Sequence, residues 1–187
     1  QSRSVRDTAA FYRELERTYR PRRLPPIGDV TGPSSRRLRI GLHRDSPVTS
    51  PDAQVGAALD DTAALLRDLG HDVREIGGLV DEQFVADFSL YWQMLAALLR
   101  GTGQRLFDPS FDPTLVDTFT AGLADAFAAN RGKLPGAVRR LRRSSRLWAQ
   151  RCGEYDVVLS PTLAHPAPQL GYIAPGQDFD QHFSRLL

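Results

Sequence analysis

Cysteine, lysine and methionine each occur only once in these 187 residues, and those scarcities set the first limits. Cys152 has no second cysteine with which to form an intramolecular disulfide. One cysteine and four dispersed histidines give no metal-ligand spacing, so no metal site is expected. Every basic residue except Lys133 is an arginine, which leaves lysine chemistry a single candidate. No apolar run approaches the roughly 18 residues that a membrane-spanning helix needs. The mean hydropathy is −0.34, and the opening residues QSRSVRDTAAF lack the apolar region of a signal peptide. The expectation is a soluble, cytoplasmic protein with no membrane partner.

What is present suits a packed domain. Hydrophobic residues make up 41% of the chain, enough to build one real core at this length. The formal charge of +2 hides an asymmetry: the segment from Arg131 to Arg151 holds eight basic residues and no acidic one, so the remainder is net acidic. Any contact with a polyanion would be confined to that segment.

Periodicity orders the rest. SVRDTAAFYRELERTYR reads as an amphipathic helix capped by Ser4, with Val5, Ala9, Tyr12, Leu15 and Tyr19 at helical spacing. Residues 21–36 carry four prolines without a sustained period and form a connector. LRIGLH then alternates as a strand. A helix follows, with Ser50 as cap, Pro51 at its first position and Gly70 just past its end, and HDVREIG resumes a strand. This β-α-β order predicts parallel strands and a right-handed crossover. Three further helices are expected: one over 81–100 with a wide, largely buried stripe that includes Phe84, Phe88, Leu95 and Leu99, one opening at Asp112 and Pro113, and one whose apolar face holds Val138, Leu141, Trp148 and Cys152. YDVVLS closes the series as a strand. No internal repeat or low-complexity tract is present.

The stretch EYDVVLSPTLAHPAP ends a strand at Ser160, a place where hydrolases put nucleophiles. Ser160 lacks the flanking glycines of a nucleophile elbow. Pro161 also removes a backbone N–H where an oxyanion hole would need one. His165 lies close in sequence, yet nothing orients it as a base, and a loop histidine bonded to loop carbonyls is the better reading. Cys152, at a helix carboxyl end, faces the wrong pole of the dipole for a thiolate. Arg139, Arg140, Arg143 and Arg146 fall mostly opposite the apolar stripe of their helix, as a solvated face does. No aromatic residues interleave them, so no nucleic-acid partner is expected. Residue chemistry alone therefore yields a pocket wall without a nucleophile: Tyr91 and Trp92 flank the apolar stripe, each joining apolar bulk to a polar tip, and a strand ends in Ser160-Pro161-Thr162.

The order of three segments adds to this: RSVRDTAAFYREL, then RLRIGLHRDSPVTSPDAQVGAALDDTAALLRDLGHDVREI, then YDVVLSPTLAHPAPQLG. Together they resemble the amidase signature family over nearly the whole chain. The resemblance implies an α/β architecture, part of a mixed sheet flanked by helices, forming one incomplete domain over 1–187. It implies hydrolysis of linear amides by a Ser-Ser-Lys triad with no cofactor. Those three residues belong to a glycine- and serine-rich region expected upstream of this chain, which is similar to the C-terminal part of such an enzyme. No catalytic residue is therefore assigned. Tyr91, Trp92, Ser160 and Thr162 are the expected substrate-binding residues, and the complete enzyme's partner is a small-molecule amide. A homodimer is left open. The competing reading is a non-catalytic binding or scaffold module that kept the sheet and lost the chemistry.

Overall fold

The computed structural model describes residues 2–186. Contacts divide the chain into a unit ending at Arg37 and another beginning at Leu38.

The first unit is built on α1 (Val5–Thr18). Ser4 caps it as expected, its side chain accepting a hydrogen bond from the Asp7 amide at 3.1 Å. Within residues 21–36 only turns form. The Glu16 carboxylate gathers that segment by accepting from the amides of Ile27 (2.6 Å) and Gly28 (2.9 Å). Gly28 has φ +71°, a backbone state that residues with a Cβ seldom adopt. No α1 residue is buried; Phe11 and Tyr19 stay exposed, and the Phe11 ring meets that of Tyr12 edge to face.

The second unit carries a three-stranded parallel sheet of β1 (Arg39–Leu42), β2 (Asp72–Glu75) and β3 (Val157–Leu159) in the order β2-β1-β3. Ile40 pairs with Val73 on one side of β1 and with Val157 on the other. As the central strand of a parallel sheet, β1 buries Ile40, Gly41 and Leu42 in succession instead of alternating. Gly41 sits in close packing: a Cβ there would lie 2.9 Å from Ile76 and 3.2 Å from Tyr155. The crossover helix α2 (Ala53–Asp68) sets Leu59 and Ala63 against Ile40, Leu42 and Val73, forming one core. Fully burying a side chain such as Leu59 contributes about 1.5–3 kcal/mol.

Between β2 and β3 run α3 (Glu82–Leu106), α4 (Thr118–Asn130), a short 3-10 turn (Arg131–Lys133) and α5 (Leu134–Cys152); α6 (Phe179–Leu186) follows β3. A second core joins Ala96 of α3 to Leu123 and Ala124 of α4, with Trp92, Phe119, Phe179 and Phe183 packed on it. Gly122 lets α6 approach: a Cβ at that position would sit 2.3 Å from the Phe179 ring. His182 lies in the same region, 8% exposed, its ring 4.6 Å from that of Phe119. No helix among the described residues is long and apolar enough to cross a membrane.

Four expectations need correction. The crossover helix is capped by Asp52, not Ser50, because Asp52 accepts from the Gln54 amide at 2.8 Å while its own N–H is drawn to the Ala164 carbonyl. Asp112 opens a turn through Thr114, and the cap of α4 is Asp117, accepting from the Thr120 amide at 3.0 Å. The α3 stripe expected to be largely buried is buried only in part: Phe84 and Leu99 are half-buried, but Phe88 is 51% and Leu95 46% exposed. Helix α3 instead turns smaller and polar residues inward: Asp87, Ser89, Ala96 and Gly103, with Leu90. Finally, the arginine cluster of α5 is not uniformly solvated. Arg140 donates to the buried Asp87 carboxylate through Nε (2.7 Å) and Nη2 (2.6 Å).

Candidate active-site wall

At the carboxyl ends of β1 and β3 the chain opens a crevice of about 260 Å³. Its position follows from topology. From β1 the chain goes through α2 to β2 on one side, then through α3 to α5 to β3 on the other side of β1. Such a reversal separates the loops that leave neighbouring parallel strands, and in open α/β sheets ligands bind in the gap beyond the strand ends.

Backbone bonds flank the crevice. At its floor the His43 amide donates to the Leu159 carbonyl (2.9 Å), the last ladder bond between β1 and β3. Across its mouth the Asp52 amide donates to the Ala164 carbonyl (2.7 Å), tying the loop after β3 to the start of α2. At the opposite end of the strands, Asp156 accepts from the Arg39 amide (2.8 Å) and guanidinium Nε (3.4 Å). The two strands are thus pinned at both ends.

One wall holds Ser160, Pro161, Thr162, Leu163 and Ala164; the other holds His43, Arg44, Asp45, Ser46, Thr49 and Pro51. Arg44 is engaged behind the wall, donating to Asp60 of α2 at 2.5 Å and to Glu75 of β2 at 2.9 Å. Those two carboxylates hold its pKa above the ordinary arginine value. Arg44 and Asp45 also border a second cavity of about 280 Å³ at the ends of β1 and β2, so Arg44 stands as a partition between the two spaces.

The four expected binding residues fall in two places. Ser160 and Thr162 share the crevice. Tyr91 and Trp92 lie on α3 and are not part of its lining. Tyr91 is half-exposed on the open stripe with Phe88 and Leu95. Trp92, one position on, turns into the second core, its ring 5.4 Å from Phe119 and 6.2 Å from Phe183.

The sequence reading assigned residues 43–49 to no site, taking His43 as the end of its strand. The available signal was positional: they form the first loop after the leading strand of a β-α-β unit, where such sheets bind ligands.

The crevice walls carry hydroxyls, an imidazole and a carboxylate, but no activated nucleophile. His165 does not line the crevice; its Nδ1 donates to the Pro166 carbonyl at 2.8 Å, as expected of a loop histidine. Lys133 donates to Asn130 Oδ1 at 2.8 Å on the helical side of the unit. Cys152 ends α5, half-buried.

Comparison with known proteins places this arrangement. The fold matches a solved structure of 6-aminohexanoate cyclic dimer hydrolase with a TM-score of 0.71 at 23% identity, covering all of this chain and 41% of that one. The same hydrolase complexed with substrate matches equally, with 42% of its chain covered. Among curated proteins, "Putative amidase AmiC" of Mycobacterium tuberculosis is 44% identical over 186 residues, and that of Mycobacterium leprae is 42% identical over 187. The chain spans 39% and 40% of the length of those relatives. The family model described as Amidase matches residues 1–184, and the chain belongs to that family.

Proposed function

We propose that this chain forms the substrate-cleft wall of an enzyme that hydrolyses linear carboxamides through an acyl-enzyme. The observation that carries the reading is the crevice between the ends of β1 and β3, at the point where strand order reverses and walled by Ser160 and Thr162.

The chemistry divides between this wall and groups outside the chain. Family resemblance implies a Ser-Ser-Lys triad carried in the portion of its relatives that this chain does not span. The nucleophilic serine adds to the amide carbonyl while its proton passes through the bridging serine to the lysine. Collapse expels the amine or ammonia, which takes that proton. Water then cleaves the ester to release the carboxylic acid and restore the serine. Within this chain, Ser160 and Thr162 contribute hydroxyls that orient the substrate. Pro161 fixes the backbone between them and supplies no N–H. On α3, Tyr91 is the residue a cleft can use, while Trp92 serves through packing.

The test is to assay the product of the complete gene and the isolated 187-residue chain against a panel of aryl and alkyl amides. The proposal expects turnover by the complete product and none by the isolated chain. A complete product that folds but hydrolyses no amide would favour the scaffold module. Turnover by the isolated chain would place the nucleophile among its own residues.

A further inference from the structure

Arg44 is the only lysine or arginine on the crevice lining, and its charge is already committed to Asp60 and Glu75. Asp45, the next residue, lines the same crevice and has no hydrogen-bond or ion-pair partner among the described residues. Asp52, at the adjoining end of α2, spends its carboxylate on the cap. The crevice therefore presents hydroxyls, the His43 ring and one uncompensated negative charge.

We propose that Asp45 makes this crevice select by charge, accepting amides whose non-reacting end is neutral or bears an ammonium group and excluding those that end in a carboxylate. This rests on the crevice being the substrate cleft of the amidase. A carboxylate entering there meets Asp45, and the one guanidinium on the lining, Arg44, is already engaged by Asp60 and Glu75. An ammonium group gains the attraction that the carboxylate loses. Asp45 is exposed, so solvent screens the effect and the discrimination is moderate.

The experiment uses the complete gene product and three matched alkyl amides of equal length, ending in a methyl, an ammonium or a carboxylate group. Expected is a kcat/KM for the carboxylate-ended amide about tenfold below that of the methyl-ended one, with the ammonium-ended amide equal or better. Asp45→Asn keeps the side-chain volume and should shrink the ammonium-to-carboxylate ratio several-fold, as should high salt. Equal turnover of all three amides, or a ratio unmoved by Asp45→Asn, overturns the proposal. Hydrolysis of none of them counts against the amidase reading, and a binding arm then decides the charge question. In that arm butylammonium and butyrate are titrated into the isotope-labelled complete gene product while the amide resonances of His43, Asp45, Ser160 and Thr162 are followed. Shifts with butylammonium alone support selection by charge, whereas stronger shifts with butyrate, or none with either, contradict it.

Discussion

Asp87 of α3, 3% exposed, receives two hydrogen bonds from the Arg140 guanidinium of α5, 53 residues further along the chain. The pair joins two helices of the long crossover, and Gln83 adds a third bond at 3.1 Å. Arg140 holds the Asp87 pKa below the ordinary aspartate value against the opposing effect of burial.

Removing the cation should therefore cost more than the bond itself. Arg140→Ala leaves a buried carboxylate without its cation and is expected to lower the stability of the chain. Because the folded-state pKa of Asp87 is depressed, its contribution is complete above the unfolded-state value and is lost as pH falls through the ordinary aspartate range and below. Thermal melts should show the gap between wild type and Arg140→Ala narrowing as pH falls through that range. A gap independent of pH would contradict the assignment.

Adjacent aromatic residues on α3 should behave oppositely. Trp92→Leu removes ring contacts with Phe119 and Phe183 and should cost about 2 kcal/mol in denaturant unfolding. Tyr91→Leu, on the open stripe, should change stability by less than about 0.5 kcal/mol. In the complete enzyme, Tyr91→Leu is expected to alter the ranking of small against bulky amides, and Trp92→Leu to leave that ranking as it is.

Helix α5 holds Arg139, Arg142, Arg143 and Arg146 exposed along one side. Without interleaved aromatic residues, binding to a mixed-sequence duplex should be weak, with a steep salt slope, and absent at about 150 mM salt. Micromolar affinity at that salt concentration would assign this face a nucleic-acid role.

Local features were legible in the sequence. Ser4 caps α1 through a bond three residues away, and the β1-α2-β2 unit follows from periodicity and its closing Gly70. Features that depend on distant partners were not. The displacement of the α2 cap to Asp52 involves a bond to Ala164, more than a hundred positions on. Asp87 reads as an interruption of an apolar stripe until Arg140 is brought beside it. Helix α6, for which no signal was read, rests its aromatic residues on Trp92 and Phe119. At the crevice, the Ser160–Thr162 wall was visible at the end of its strand. The opposing 43–49 wall required strand order, which no single segment encodes.

The central claim is that Ser160 lines a substrate cleft and is not the nucleophile. Steady-state kinetics of the complete gene product test it most directly, comparing wild type with Ser160→Ala and Ser160→Phe on a simple aryl amide while thermal melts monitor folding. The account predicts that Ser160→Ala retains kcat within about tenfold, since it removes one orienting hydroxyl. It also predicts that Ser160→Phe, which fills the crevice, lowers kcat/KM by about a hundredfold or more with the fold intact. Loss of all turnover in Ser160→Ala, or unchanged kinetics in Ser160→Phe, would contradict it.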